Sequence, residues 1–253
     1  MTQTPVIAII GGGLSGAAVA YHLAEILQPG EADVVVVEPK AELGRGLAYS
    51  TPDPVHRLNV PAHKMSLRSD APEHFRQWLA GPQAPMLLPD ATAPSGDIFA
   101  PRAVFGRYVA DMLAPLLASG RVRHVKANVA RVTGAEGHRL QLSDGTQLYT
   151  DLLILAASHP KPGLPRQLIA IAGHPALITD PFDPHAFDDI APDARLLIVG
   201  NGLTSPIFWP HCTAGGILAQ SLRCHATVGG RNRMGQNRPK RRQTSRKRRP
   251  APP

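Results

Sequence analysis

Gly11, Gly13 and Gly16 follow directly on the apolar run at 5–10, PVIAII, and lead into the alanine-rich stretch AAVAYHLAEIL. In a G-x-G-x-x-G turn between a strand and a helix, each glycine has its own task. The first permits the tight turn, the second lets the backbone approach a pyrophosphate, and the third lets helix and strand pack closely. The first helical turn then offers unpaired N–H groups and the positive end of the helix dipole to phosphate oxygens. Glu38 stands 22 residues beyond Gly16, at the end of the next apolar run, ADVVVVE. A carboxylate there can accept hydrogen bonds from both ribose hydroxyls and would repel a 2′-phosphate. The two features together fit an adenosine with a free ribose, as in FAD or NAD. The alternatives are a glycine turn kept for packing alone and a glutamate that is only a solvated strand end.

These residues need a βαβ unit to hold them. The β-branched run at 5–10 reads as a buried strand, and 17–27 carries apolar residues at helical spacing until Pro29 and Gly30 stop it. Residues 32–38 read as a second buried strand, and the helical crossover makes the pair parallel. From 39 to 101 the chain is proline-rich and irregular, with one helix in 71–80 for which Asp70 is the expected cap. Residues 101–120 read as a long amphipathic helix interrupted at Pro115. Alternating residues with an SDGT turn predict a smaller β element around residues 121–150, and TDLLILAA reads as another buried strand. After a proline-rich connection over 159–194, RLLIVGNG begins a second strand and glycine turn with Gly200 and Gly202.

Composition excludes several classes. Of the 27 basic residues, 11 lie beyond Thr204, where there is no Asp or Glu; residues 1–204 therefore hold 16 basic against 19 acidic residues. The net charge of +8 belongs to a tail, and the body is mildly acidic, so whole-chain charge is no argument for nucleic acid or membrane. The two cysteines, Cys212 and Cys224, lie in the tail region and leave the body without a disulfide framework or thiol redox pair. No stretch approaches the roughly 18 apolar residues of a membrane span. The N-terminus lacks the basic region of a signal peptide, which makes the cytoplasm the expected location. His211-Cys212 and Cys224-His225 match no common zinc spacing, so no metal is expected. The absence of G-x-S-x-G leaves hydrolase chemistry unsupported.

VIAIIGGGLSGAAVAYHL, GRGLAYSTPDPVHRLNVPAHKMS, DIFAPRAVFGRYV, TDLLILAAS and RLLIVGNGLT occur here in the order found in a bacterial FAD/NAD(P)-binding flavoprotein family. That family includes amino-acid N-hydroxylating monooxygenases. The chain resembles it over residues 5–204. The resemblance implies that Gly11, Gly13, Gly16 and Glu38 bind the ADP half of FAD. It places the segment from Arg45 to Ser66 along the flavin, with Asn59 and Met65 near the isoalloxazine. His56 and Asn59 offer hydrogen-bond groups and Tyr49 a ring to stack or pack; the plain alternative is a loop packed by its own side chains. It also puts Val129 near the adenine, although a core valine is the favoured reading, and NAD(P)H at Gly200 and Gly202. In DLLILAAS, Ser158 takes the place of a glycine that two-dinucleotide flavoproteins carry beside the flavin. Asp97, Arg102 and Tyr108 are family-like. Arg102 could face a phosphate or a substrate carboxylate, and a surface ion pair is the favoured reading.

The expected fold is α/β, a Rossmann-type parallel sheet with a small β element and a disordered basic C-terminal tail. Residues 1–165 would form an FAD-binding domain, 166–204 a linker and the start of an NAD(P)-binding domain, and 205–253 a divergent tail. RPKRRQTSRKRRPAPP cannot bury an apolar face. It could bind nucleic acid, act as a localisation signal, or be a solvated end. The favoured expectation is that the family continuation is missing because the coding frame shifts near position 205, which leaves nucleic acid an unexpected partner. Family function would be an FAD-dependent oxidoreductase of the NAD(P)H-dependent monooxygenase type acting on a small molecule the residues do not specify. The alternatives are a remnant that at most binds FAD and a protein acting on nucleic acid through its tail. No residue is assigned as catalytic acid, base or nucleophile, since the flavin itself would carry the chemistry.

Overall fold

The computed structural model describes residues 4–199 apart from 88, 135–136, 159–162, 181–182, 184 and 192–193. The basic tail at 205–253 lies outside the described residues. β1 (Val6–Ile10), α1 (Leu14–Ile26) and β2 (Asp33–Val37) form the expected βαβ unit, with β1 and β2 parallel and in register from Val6 opposite Asp33 to Ile10 opposite Val37. After a long irregular excursion containing α2 (His74–Leu79), α3 (Arg102–Ala118) returns the chain to β3 (Val122–Val125) beside β2. β4 (Val129–Thr133), β5 (His138–Leu142) and β6 (Gln147–Thr150) form a separate antiparallel sheet. β7 (Leu152–Leu155) then pairs parallel with β1, which gives a four-stranded sheet in the order β3-β2-β1-β7.

The parallel sheet is covered on both faces, and its alternating side chains divide between two cores. Ile9, Val34, Val36 and Val122 point to the helical side, where Ala17 and Ala20 of α1 and Val104, Phe105, Tyr108 and Leu113 of α3 meet them. Phe75 and Trp78 of α2 stack beside Tyr108 in the same core. Ala8 and Val37 point the other way and pack with Ala127, Leu140 and Leu142 of the small sheet. The parallel sheet thus lies between helices and a second sheet.

Five local expectations are corrected. The small β element begins at Val129, not at 121, because Val122–Val125 is paired with Val34–Val37 and its Val122 is needed in the helical core. α2 starts at His74 with Glu73 at its cap position, and the Asp70 carboxylate instead takes the Arg68 guanidinium at 2.6 Å. α3 runs through Pro115 to Ala118; the proline sits close to the helix end, where only one backbone bond is forfeited. Among the described residues β7 pairs with β1 alone, and Leu152 and Leu155 are 52% and 73% exposed where a buried strand is expected. Among the described residues, 194–199 pair with no strand, and Leu197 and Val199 stand exposed where RLLIVG predicts a second buried strand. No described helix is long and apolar enough to cross a membrane.

Thr150 is the buried polar side chain at the seam of the two sheets. Its hydroxyl accepts the Ala8 N–H at 3.0 Å and lies 2.7 Å from the carbonyl of Val6. Replacing it with valine keeps the shape but strands a buried N–H. Thr150→Val should lower unfolding free energy by about 1–3 kcal/mol in urea denaturation. An unchanged midpoint would mean that the hydroxyl contributes nothing to the junction.

Candidate functional site

β1, β2 and β7 end side by side, and the turn after β1 lies against the ends of the other two strands. Gly11 has φ +97°, a conformation costly for any residue with a Cβ, and its N–H donates to the Val37 carbonyl at 2.9 Å. A Cβ on Gly11 would stand 2.5 Å from the Ala156 carbonyl oxygen, so LAAS at the end of β7 is packed directly on the turn. A Cβ on Gly16 would stand 1.9 Å from the Gly11 carbonyl oxygen. Only glycine at 16 lets the first turn of α1 come this close to the end of β1. Gly13 is the residue preceding α1, and no side chain caps the helix there. The first N–H groups of α1 are therefore left for another acceptor.

Glu38 is fixed at every polar group. Its main-chain N–H donates to Val125 at 3.0 Å, and its carbonyl accepts from His124 Nε2 at 2.9 Å. One carboxylate oxygen accepts the Gly12 N–H at 2.8 Å and the other accepts the Lys40 N–H at 3.0 Å. Each carboxylate oxygen keeps a further lone pair, so the group is oriented beside the glycine turn without being used up. The carboxylate and the glycine turn that leads into α1 are joined in the structure by one hydrogen bond.

The loop after β2 forms the next wall. Gly44 N–H donates to the Gly12 carbonyl at 2.7 Å, and a Cβ on Gly46 would lie 3.0 Å from Gly13 Cα. Arg45 pairs with Glu42 at 2.6 Å, and its stem passes over Gly106 of α3. Asn59 is exposed, and its side-chain oxygen accepts from Arg102 at 3.0 Å. Arg102 also donates to the Arg57 carbonyl at 3.0 Å, and its N–H bonds His56 O at 2.8 Å. Its recorded partners are neutral oxygens and not the expected surface carboxylate, because the start of α3 is folded over the loop at 56–59. Burial pushes the Arg102 guanidinium below its ordinary value, while the adjacent Tyr49 hydroxyl acts in the opposite sense. The Tyr49 ring packs on Phe105 at 5.0 Å between centroids. His56 Nδ1 is 2.6 Å from the Thr51 hydroxyl.

Met65 ends the short 3-10 turn Ala62–Lys64 and packs on the helical core. Val129 starts β4 and packs in the cluster that holds Val37, immediately before Glu38. Asp97 lies 3.4 Å from His63 Nδ1, and Tyr108 is wholly buried in the helical core. Gly200 and Gly202 lie outside the described residues, as do His211, Cys212, Cys224 and His225. The structure therefore brings together Gly11, Gly13, Gly16, Glu38 and the backbone beside Arg45, and it holds Asn59 in a separate network with Arg102. Sequence reasoning missed Lys40, whose only signal is a basic residue two positions after Glu38.

The residues at 8–160 match the FAD-NAD(P)-binding family. The chain belongs to this family. The match is to a family that binds FAD and NAD(P). No curated protein matches the sequence. Among solved structures, the flavin-containing monooxygenase from Stenotrophomonas maltophilia is 20% identical over 63% of this chain and 42% of its own, with a TM-score of 0.39. OTEMO complexed with FAD and NADP is 15% identical over 66% of this chain and 28% of its own, with a TM-score of 0.42. LpdA from Mycobacterium tuberculosis is 14% identical over 62% and 21%, with a TM-score of 0.32. The matched part spans less than half the length of each of these proteins, and likeness at this level says nothing about a substrate.

Two outcomes follow from the geometry. Gly16→Ala forces the helix away from Gly11 and should cost about 3 kcal/mol while abolishing detectable FAD retention on gel filtration. A stable variant that still retains FAD would contradict the close approach. Separately, burial and then Arg68 hold His74 below its ordinary imidazole value, and its Nδ1 lies 3.0 Å from the Tyr108 hydroxyl. The folded state resists charging His74, so stability is full above about pH 6.5 and falls as the pH drops through and below it. His74→Gln should flatten that part of the stability–pH curve in thermal melts, and an identical curve would refute the assignment.

Proposed function

We propose that residues 1–165 form an FAD-binding domain and that the protein is an NAD(P)H-dependent flavin oxidoreductase of the monooxygenase type. The observation that carries the reading is the hydrogen bond from Gly12 to Glu38, which sets a ribose-binding carboxylate beside an uncapped helix start. What supports the ADP half of FAD is the set of donors and acceptors around the turn. Backbone N–H groups at the start of α1 would take the diphosphate, and the free lone pairs of Glu38 would take the ribose hydroxyls. Gly11 and Gly16 keep the turn tight enough for both to be reached from one side.

When bound, the flavin supplies hydride acceptance from the nicotinamide and reaction of its reduced ring with dioxygen. This chain's residues bind and orient it. The loop carrying Gly44 and Gly46 covers the turn on one side, and Ala156 and Ala157 close it on the other. Arg45, Asn59, Met65 and Val129 remain proposed cofactor contacts, with Gly200 and Gly202 proposed for NAD(P)H. Arg102 holds Asn59 in place, so Asn59 would present its amide NH2 group and not its oxygen.

The full chain incubated with FAD should keep a flavin absorption band through gel filtration, and anaerobic NADPH or NADH should bleach it. Glu38→Gln should weaken FAD binding by roughly tenfold, the loss of one charge-assisted interaction. A colourless protein that takes up no FAD defeats the proposal. Retained FAD that neither nucleotide bleaches leaves binding intact and removes the oxidoreductase reading for this chain.

A further inference from the structure

We propose that Lys40 is the side chain that grips the diphosphate of the bound dinucleotide. The inference rests on the dinucleotide reading of the Gly11–Glu38 site and assigns it a residue that the glycine motif does not contain. Lys40 touches both halves of that site. Its main-chain N–H holds one oxygen of Glu38 at 3.0 Å, on the ribose side. Its ammonium donates to the Gly46 carbonyl at 3.2 Å and to the Ser50 hydroxyl at 3.3 Å. Gly46 is the residue whose backbone lies on Gly13, 3.8 Å from Leu14 N by the position of a Cβ. The ammonium is thus moored on Gly46, whose backbone packs against Gly13, the residue that precedes α1.

The charges around it differ in how they are matched. Arg45, the other cation on this loop, is paired with Glu42 at 2.6 Å and half-buried. Among the described residues no carboxylate lies within ion-pair distance of Lys40, which is exposed and held by neutral oxygens alone. Neutral acceptors are exchanged for an anionic oxygen at a gain, since a charge-assisted bond is roughly twice as strong as a neutral one. The flexible four-carbon stem lets the ammonium make that exchange without moving the backbone that orients Glu38.

Two phosphate positions would attract a lysine here, the diphosphate bridge and a phosphate on the ribose 2′-oxygen. The geometry points to the bridge. The ammonium is bonded to Gly46, which packs on Gly13, and the Glu38 carboxylate beside the ribose opposes a second anion there. Lys40 would then make affinity for the nucleotide fall with salt, as one phosphate-bound cation does.

The test is isothermal titration of the full chain with adenosine, ADP and adenosine 2′-monophosphate, using wild type, Lys40→Met and Lys40→Arg at two salt concentrations. The expected result is an ADP affinity lowered roughly tenfold or more in Lys40→Met, with adenosine affinity unchanged and most of the loss recovered in Lys40→Arg. The salt dependence of ADP binding should weaken in the methionine variant. Equal losses for adenosine and ADP would show that Lys40 acts only by holding Glu38 and the loop, and would overturn the proposal. An unchanged ADP affinity, or a larger loss for the 2′-monophosphate than for ADP, would overturn it too. A wild-type chain that binds none of the three would remove the dinucleotide reading itself, a failure visible before any variant is compared.

Discussion

The backbone of α1 enters its first turn against the carbonyl of Gly11, at a distance that admits no Cβ on Gly16. Everything that could receive a nucleotide is set by that approach. It puts the helix start at the level of the strand ends, where the dipole and the unpaired N–H groups face outward. It brings Gly12 within reach of Glu38, and the resulting bond at 2.8 Å locks the carboxylate to the turn. The loop after β2 then closes over the same turn through Gly44 and Gly46, so three segments distant in sequence are fixed by backbone contacts.

Such a site demands a rigid frame, and the two-faced core supplies one. Ile9 and Val36 anchor β1 and β2 to α1 and α3, while Ala8 and Val37 anchor the same strands to the antiparallel sheet. The strand ends that carry Gly11 and Glu38 are therefore held from above and below. The aromatic group of Phe75, Trp78, Phe105 and Tyr108 ties the irregular excursion at 39–101 to α3, and Tyr49 extends it into the loop beside the turn. An excursion with little regular structure thereby becomes a wall.

The βαβ unit was legible because its signals are local. Valines and isoleucines in short runs, alanines at helical spacing and glycines at fixed offsets each act within a few residues. Glu38 was legible for the same reason. The course of Val122–Val125 was not: alternation in that stretch fits either sheet, and only the demand of Val34–Val37 for a parallel partner decides it. The role of Arg102 was hidden because its partners, Arg57 O and Asn59, come from a loop more than forty residues away. Lys40 escaped notice because a lone lysine carries no periodic or spacing signal, and its place over Gly46 appears only once the loop has folded back. The exposure of Leu152 and Leu155 likewise depends on which strands stand beside β7, which no stretch of apolar residues reveals.

The central claim is that a dinucleotide seats on the turn joining β1 to α1 with its ribose on Glu38. Amide chemical-shift mapping of the isotopically labelled full chain during titration with FAD tests it most directly. The account predicts saturable shifts concentrated at Gly11–Gly16 and Glu38–Lys40, with smaller ones at Arg45–Gly46. Saturable shifts elsewhere that leave these amides unmoved, or no saturable shifts at all, would contradict it.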